Sequence, residues 1–199
     1  MALILKILFV VSEFVYLFVI EGPHKVRNRR LAPDVSCETP VHILLMLATF
    51  AGMHIVPTLY VFSPWLDFAD LAPRPLVRAA AGVLGAVVLG GALLLFWRAH
   101  RDLGDAWSPT LELRGGHKLV TGGVYHVVRH PIYAACWMWG VAQSLVLQNW
   151  IAGPAALVLF LPVYLYRIRH EERMMIDAFG DEYRDYRGRT GRVIPRLWS

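Results

Sequence analysis

Charge is scarce in this chain. Only 18% of its 199 residues are Asp, Glu, Lys or Arg, where a soluble domain carries about 25%. Hydrophobic residues make up 56%, and the mean hydropathy is +0.45. That balance argues against a soluble globular domain and for a chain that meets lipid. Cysteine is nearly absent too, with only Cys37 and Cys136. The first falls in a polar loop and the second in an apolar stretch, so no disulfide is expected. There is no His-Glu-x-x-His motif. His117, His126, His130 and His170 lie in polar segments without ligand spacing, so no metal site is expected. No serine sits in a nucleophile-elbow context, which argues against acyl transfer through a covalent intermediate. The first apolar stretch lacks an A-x-A-like cleavage site and contains Glu13, so it reads as a retained helix rather than a signal peptide.

What the chain does have is five apolar stretches of roughly spanning length, near 2–20, 41–62, 76–97, 131–147 and 150–168. The expected architecture is an all-α integral membrane protein forming one domain, 1–199. It has five transmembrane helices, a tight hairpin of the last two turning at Gln148 and Asn149, and a cytosolic C-terminal helix. The three N-terminal spans occupy 1–97, and 98–199 carries the polar motifs. Seventeen of the 20 positive residues fall in alternate polar segments: 21–40, 98–130 and the tail from Arg167. The positive-inside rule then places the N-terminus outside and the C-terminus in the cytosol. Trp65 and Trp150 would mark the outer interface, Trp97 and Trp107 the inner one. With the basic residues accounted for by topology, membrane lipids are expected as partners and nucleic acid is not.

The third stretch is rich in small residues, with Gly82, Ala86 and Gly90 at four-residue spacing. Such a stripe lets another helix approach closely, within the monomer or across a dimer. The oligomeric state stays open. In the tail, Met174, Met175, Phe179, Tyr183 and Tyr186 recur at helical spacing from about Arg169, and Gly188 and Gly191 end the pattern. That amphipathic helix is expected to cover the cytosolic mouth of the bundle or to lie on headgroups.

The segment from His117 to Tyr133, HKLVTGGVYHVVRHPIY, is polar, glycine-bearing and histidine-rich between apolar spans. Gly122–Gly123 reads as a turn or as backbone that lets a ligand approach. Pro131 suits the first turn of the fourth helix, with His130 at its cap, where free N–H donors could meet an anionic group. Arg167 and Glu171, four residues apart at the cytosolic end of the fifth stretch, read as a surface ion pair or, at the lip of a bundle, as functional groups.

Together the elements LGDAWS, HKLVTGGVYHVVRHPIY, the QNWIAG turn, RIRHEER, and FGDEYRDYRGR followed by IP make 103–195 resemble the catalytic half of isoprenylcysteine carboxyl methyltransferases. More broadly, the segment is similar to membrane methyltransferases that include phospholipid methyltransferases. The resemblance implies S-adenosylmethionine as cofactor. It implies that His117, Lys118, Leu119, Val120, Tyr125, His130, Pro131, Ile132 and Tyr133 line it. Glu171 would bind the cofactor's polar end, and Arg167 would hold the substrate's carboxylate as the catalytic and substrate-binding residue. The chain departs from the eukaryotic pattern at Thr110, where those enzymes carry a cofactor-contacting Gln. Its length resembles prokaryotic members, so a prokaryotic plasma membrane is the expected location. The implied acceptor is a lipid or isoprenoid-bearing molecule.

That chemistry asks little acid–base work of the protein. A carboxylate acceptor is already ionised at neutral pH. Positioning and a dry site would do most of the catalysis. Three alternatives are a phospholipid-amine or small-thiol methyltransferase, a sterol-reductase-like oxidoreductase with a similar C-terminal half, and a non-catalytic protein of the same fold.

Overall fold

The computed structural model describes residues 2–23, 35–36, 39–72, 74–104, 112–113 and 119–196. Cys37, Trp107, Thr110, His117 and Lys118 lie outside the described residues. Apart from one antiparallel pair of two-residue strands, β1 (Val35–Ser36) and β2 (Glu112–Leu113), the described chain is helices and turns.

Helix α1 (Ala2–Phe14) has no proline or glycine to break it and widens into a π-helical stretch, Val15–Glu21. Helix α2 starts at Pro40, whose fixed φ suits a first turn. The Thr39 hydroxyl caps it by accepting from the His42 amide at 3.1 Å. It runs through Phe50, passes a π turn at Ala51–Ile55 and continues as Val56–Phe62. Helix α3 (Pro75–Leu103) follows, then α4 (Pro131–Leu147) and α5 (Ala155–Arg189). Among the described residues, three helical stretches are long and apolar enough to cross a membrane: Leu3–Glu21, Pro40–Phe62 and Pro75–Leu103. Their mean hydropathies are 2.5, 1.7 and 2.3. They match the three expected N-terminal spans, and the 29 residues of α3 extend it to about 43 Å, well past the hydrocarbon layer.

Rings dominate the core. Phe9 of α1 meets Trp139 of α4 edge-on at 5.8 Å, and Tyr16 lies 4.7 Å from Phe96 of α3. The Trp139 indole N–H donates to Gln143 Oε1 at 3.2 Å. The Gln143 amide then donates to the carbonyls of Gly52 and Ala152, at 3.0 and 2.7 Å. One buried side chain thereby ties the π turn of α2 to the start of α5. Gly52 permits this closeness, since a Cβ there would press against the Ala155 carbonyl.

The packing face of α3 differs from the expected stripe. Gly82, Gly85, Leu89, Ala92, Phe96 and Ala99 are buried, whereas Gly90 is exposed. The spacing alternates three and four, as helix-on-helix packing requires. A strict four-residue stripe drifts off that face. Residues 148–154, expected partly as the start of the fifth span, form a turn held by Asn149. Its amide donates to Leu66 O and Asp70 Oδ1, and its Oδ1 accepts from the Ile151 and Ala152 amides. The tail helix is continuous with α5 instead of starting near Arg169. It bends at Gly180, where φ is +54°, so its last turns can lie across the bundle end.

Candidate active site

The end of the bundle at the start of α4 and the middle of α5 is built by three segments. The first is the 3-10 turn Gly123–His126, which leads into α4. Gly123 has φ +60°, and a Cβ there would overlap the Asp102 carboxylate at the end of α3. That carboxylate accepts from the Val124 amide at 2.8 Å. The glycine pair is therefore a turn locked to α3. The second segment is α5 from Arg167 to Glu172. The third is the chain after α5, which returns and pairs with the first. The Arg129 amide donates to Gly191 O and the His130 amide to Arg192 O, both at 2.9 Å.

His130 occupies the N-cap position of α4, as expected, but its side chain makes no cap bond. It turns instead between two carboxylates. Nδ1 is 3.5 Å from Glu171 Oε2, and Nε2 is 3.5 Å from Glu172 Oε1. The ring stacks on Tyr133 at 5.5 Å and 8°. Glu171 Oε1 takes the Tyr133 hydroxyl at 2.5 Å and Arg167 Nη2 at 2.8 Å. Arg167 is itself buried, reaching Met46 Sδ at 3.3 Å and lying over the Tyr133 ring. Arg167 and Glu171 thus form the lip-of-bundle arrangement, not a surface ion pair.

Glu172, one residue on, faces a different set. It accepts from Arg129 Nε at 2.8 Å and from Arg192 Nη2 at 2.9 Å. Arg129 also donates to the Thr190 carbonyl at 2.6 Å. Burial opposes charge on both carboxylates and on His130, and neighbours reverse it in each case. Arg167, then His130 and Tyr133, hold the Glu171 carboxyl down at about 2. His130, Arg129 and Arg192 hold Glu172 well below the carboxylate range. The two glutamates in turn raise the His130 imidazole above its ordinary value.

Of the residues expected to line a cofactor, the structure brings His130, Tyr133 and Glu171 together with Arg167. Pro131 is fully buried in the first turn of α4 beside them. Leu119 and Val120 are half-buried in the approach to the turn. Tyr125 stands apart: its hydroxyl lies 3.5 Å from Ala99 O of α3, and its carbonyl accepts from Tyr186 at 2.6 Å. Ile132 packs towards the ring core. Sequence reasoning gave no role to Glu172, Arg129 or Arg192. The adjacent Glu pair in RIRHEER and the Arg before His130 were the available signals.

These features define a helical membrane protein with a charged, buried polar cluster where its helices end. The sequence profile of the isoprenylcysteine carboxyl methyltransferase (ICMT) family matches residues 83–177. The chain is 39% identical over 119 residues to protein-S-isoprenylcysteine O-methyltransferase of Saccharomyces cerevisiae, covering 54% of this chain and 48% of that protein. It is 37% identical over 79 residues to protein-S-isoprenylcysteine O-methyltransferase B of Arabidopsis thaliana, 40% of each chain. The Tribolium castaneum enzyme matches at 36% over 84 residues, 42% of this chain and 30% of that one. All three relatives are eukaryotic, and the chain spans less than half the length of each. The solved eukaryotic intramembrane Ras methyltransferase ICMT aligns at a TM-score of 0.47 and 24% identity, over 94% of this chain and 62% of that one.

Proposed function

We propose that this protein transfers a methyl group from S-adenosylmethionine to the carboxylate of an isoprenylcysteine-like lipid. The observation that supports it best is the Arg167–Glu171–Tyr133–His130 cluster, buried at the end of an apolar bundle within the family-matched segment. The residues fit the cofactor. His130 Nε2 is buried with no hydrogen bond among the described residues, and Glu171 Oε2 is engaged only by His130 at 3.5 Å. Among the described residues each is held by a long 3.5 Å ionic contact, Nε2 to Glu172 and Oε2 to His130, that a polar ligand could replace. When bound, S-adenosylmethionine would supply an electrophilic methyl on a sulfonium.

Glu171 would meet the cofactor's ammonium through Oε2, while Oε1 stays fixed by Tyr133 and Arg167. Leu119, Val120, Pro131 and Ile132 would supply apolar contact, with Tyr125 and the segment of His117 and Lys118 closing the approach. Arg167 would hold the acceptor carboxylate bidentately. The cluster carries two carboxylates, Glu171 and Glu172, against three guanidiniums, Arg129, Arg167 and Arg192. Its net positive charge favours an anionic acceptor over an amine. No residue needs to act as a strong base, because the acceptor arrives ionised.

In this reading α4 and the first half of α5 are the fourth and fifth spans, joined as a hairpin. The site faces the cytosol and the N-terminus lies outside. Incubating the purified chain with methyl-labelled S-adenosylmethionine and N-acetyl-S-farnesylcysteine tests the proposal. Base-labile methyl ester is expected. Label found only in phospholipid amines, or in no lipid, would overturn it.

A further inference from the structure

At the opposite end of the bundle lies a cavity of about 40 Å³, lined by Lys6, Tyr60, Asp70, Arg78 and Gln148 among others. The length of α4, about 24 Å between Pro131 and Leu147, separates it from the candidate active site. Lys6 is the one charged residue in the first half of its span. An ammonium there has three donors to satisfy. Its partners are the Tyr60 carbonyl, at a long 3.4 Å, and the Tyr60 ring, at 4.0 Å. Arg78 spends one nitrogen on Leu71 O at 2.9 Å. Among the described residues neither cation meets a carboxylate within 4 Å. Asp70, the acidic residue of the lining, is exposed and accepts from Asn149 at 2.9 Å. The Tyr60 hydroxyl donates to the carbonyl of Leu147, another residue of the lining, at 3.3 Å.

Two half-buried cations with unspent donors therefore share a small cavity whose other walls include Leu5, Leu71, Val146 and Leu147. Its depth in the bilayer is marked by its neighbours. Trp65, Phe68 and Trp150 are 71%, 80% and 71% exposed around this end, as in an aromatic belt at headgroup level. Lipid phosphates lie at that level.

We propose that this cavity binds a phosphate anion, with Lys6 and Arg78 as its ligands, presented by a phospholipid headgroup or as free phosphate. The site anchors the ends of α1 and α3 against α4 and is independent of methyl transfer. Thermal unfolding of the full chain in neutral detergent tests it, with dioctanoyl-phosphatidylglycerol, dioctanoylglycerol or inorganic phosphate added. Phosphatidylglycerol is expected to raise the midpoint and dioctanoylglycerol to leave it unchanged. Lys6→Met and Arg78→Met should each weaken the apparent affinity about tenfold or more, the loss of a charge-assisted hydrogen bond. Lys6→Arg should retain it. An equal shift from inorganic phosphate alone, lost in the same variants, assigns the site to free phosphate and supports the proposal. Equal shifts from phosphatidylglycerol and dioctanoylglycerol overturn it, as does undiminished binding in both Met variants. Should the Met variants not fold, native mass spectrometry of the unaltered chain decides. One retained phospholipid released by excess phosphate supports the site, and a chain that carries none overturns it.

Discussion

Glu13 in α1 and Glu171 in α5 are both buried carboxylates facing a histidine, yet their surroundings differ. Glu13 hydrogen-bonds His54 across to the π turn of α2, and its other oxygen has no partner among the described residues. Rings enclose the pair: Tyr16 stacks on His54 at 5.6 Å, and Phe50 and Trp139 flank it. The acid and the imidazole satisfy each other by a hydrogen bond, so the interior accepts them as a unit. The Glu171–Glu172 cluster instead gathers full charges, balanced by three arginines and His130. The contrast separates a polar staple between helices from a charged cluster that, under the proposed function, exchanges one charged partner for a ligand. The staple also lies outside the family-matched segment 83–177, and Glu171 and Glu172 lie within it.

The sharpest test of that contrast is Glu172→Ala. It strands Arg129 and frees Arg192, so it should cost about 3–5 kcal/mol, the usual effect of breaking a buried ion pair from one side. Thermal unfolding measures the loss, and limited proteolysis after Gly180 should show the tail released. A cost no larger than that of Glu13→Ala would erase the distinction between cluster and staple. Glu171→Gln comes next. It keeps the shape but weakens charge-assisted bonds worth about 1.5–3 kcal/mol. Under the proposed function, titration calorimetry should show S-adenosylmethionine affinity falling by roughly 10–100-fold, with less stability lost than in Glu172→Ala. Because Arg167 touches Glu171 directly, Arg167→Lys and Glu171→Gln should be non-additive in a double-mutant cycle.

The sequence made the three N-terminal spans legible because hydropathy is summed over many residues and survives local error. Arg167 and Glu171 were legible because an i, i+4 pair needs only a helix. Glu172 was harder. Adjacent residues on a helix point about 100° apart, so one glutamate faces Tyr133 and the other faces Arg129, and only tertiary placement says which. Arg192 sits twenty residues beyond Glu172 and reaches it only because the chain reverses past Gly180. The Gly122–Gly123 pair announced a turn, but its lock, Asp102, lies far upstream on another helix. The partnership of Glu13 with His54 likewise depends on how α1 meets α2, which neither span's own pattern reveals.

A smaller effect is expected from Glu13→Gln. The amide keeps the side chain's size and still bonds His54, so the loss should stay near 1 kcal/mol. The proposed methyl transfer should be unchanged, measured as ester formed per minute under saturating substrate. A large fall in turnover with intact stability would make the staple part of the site and collapse the contrast drawn above.

The mildest expected change is in pH dependence, and its sign follows from the cluster's groups. His130 is raised in the fold by Glu171 and Glu172. Its stabilisation is therefore complete below about 6.5, the unfolded value, and is lost as pH rises through the higher folded value. Glu171 is held at about 2, so its contribution is complete above roughly 4.5 and is lost as pH falls towards 2. The cluster should be most stable between about pH 4.5 and 6.5, and should soften on the alkaline side by no more than about 1.4 kcal/mol for each unit of His130 shift. Unfolding midpoints across pH 5 to 9 measure that slope. His130→Asn removes the titrating ring, so it should flatten the alkaline arm while leaving the acid arm in place. An unchanged alkaline arm in that variant would move the responsible proton away from the cluster.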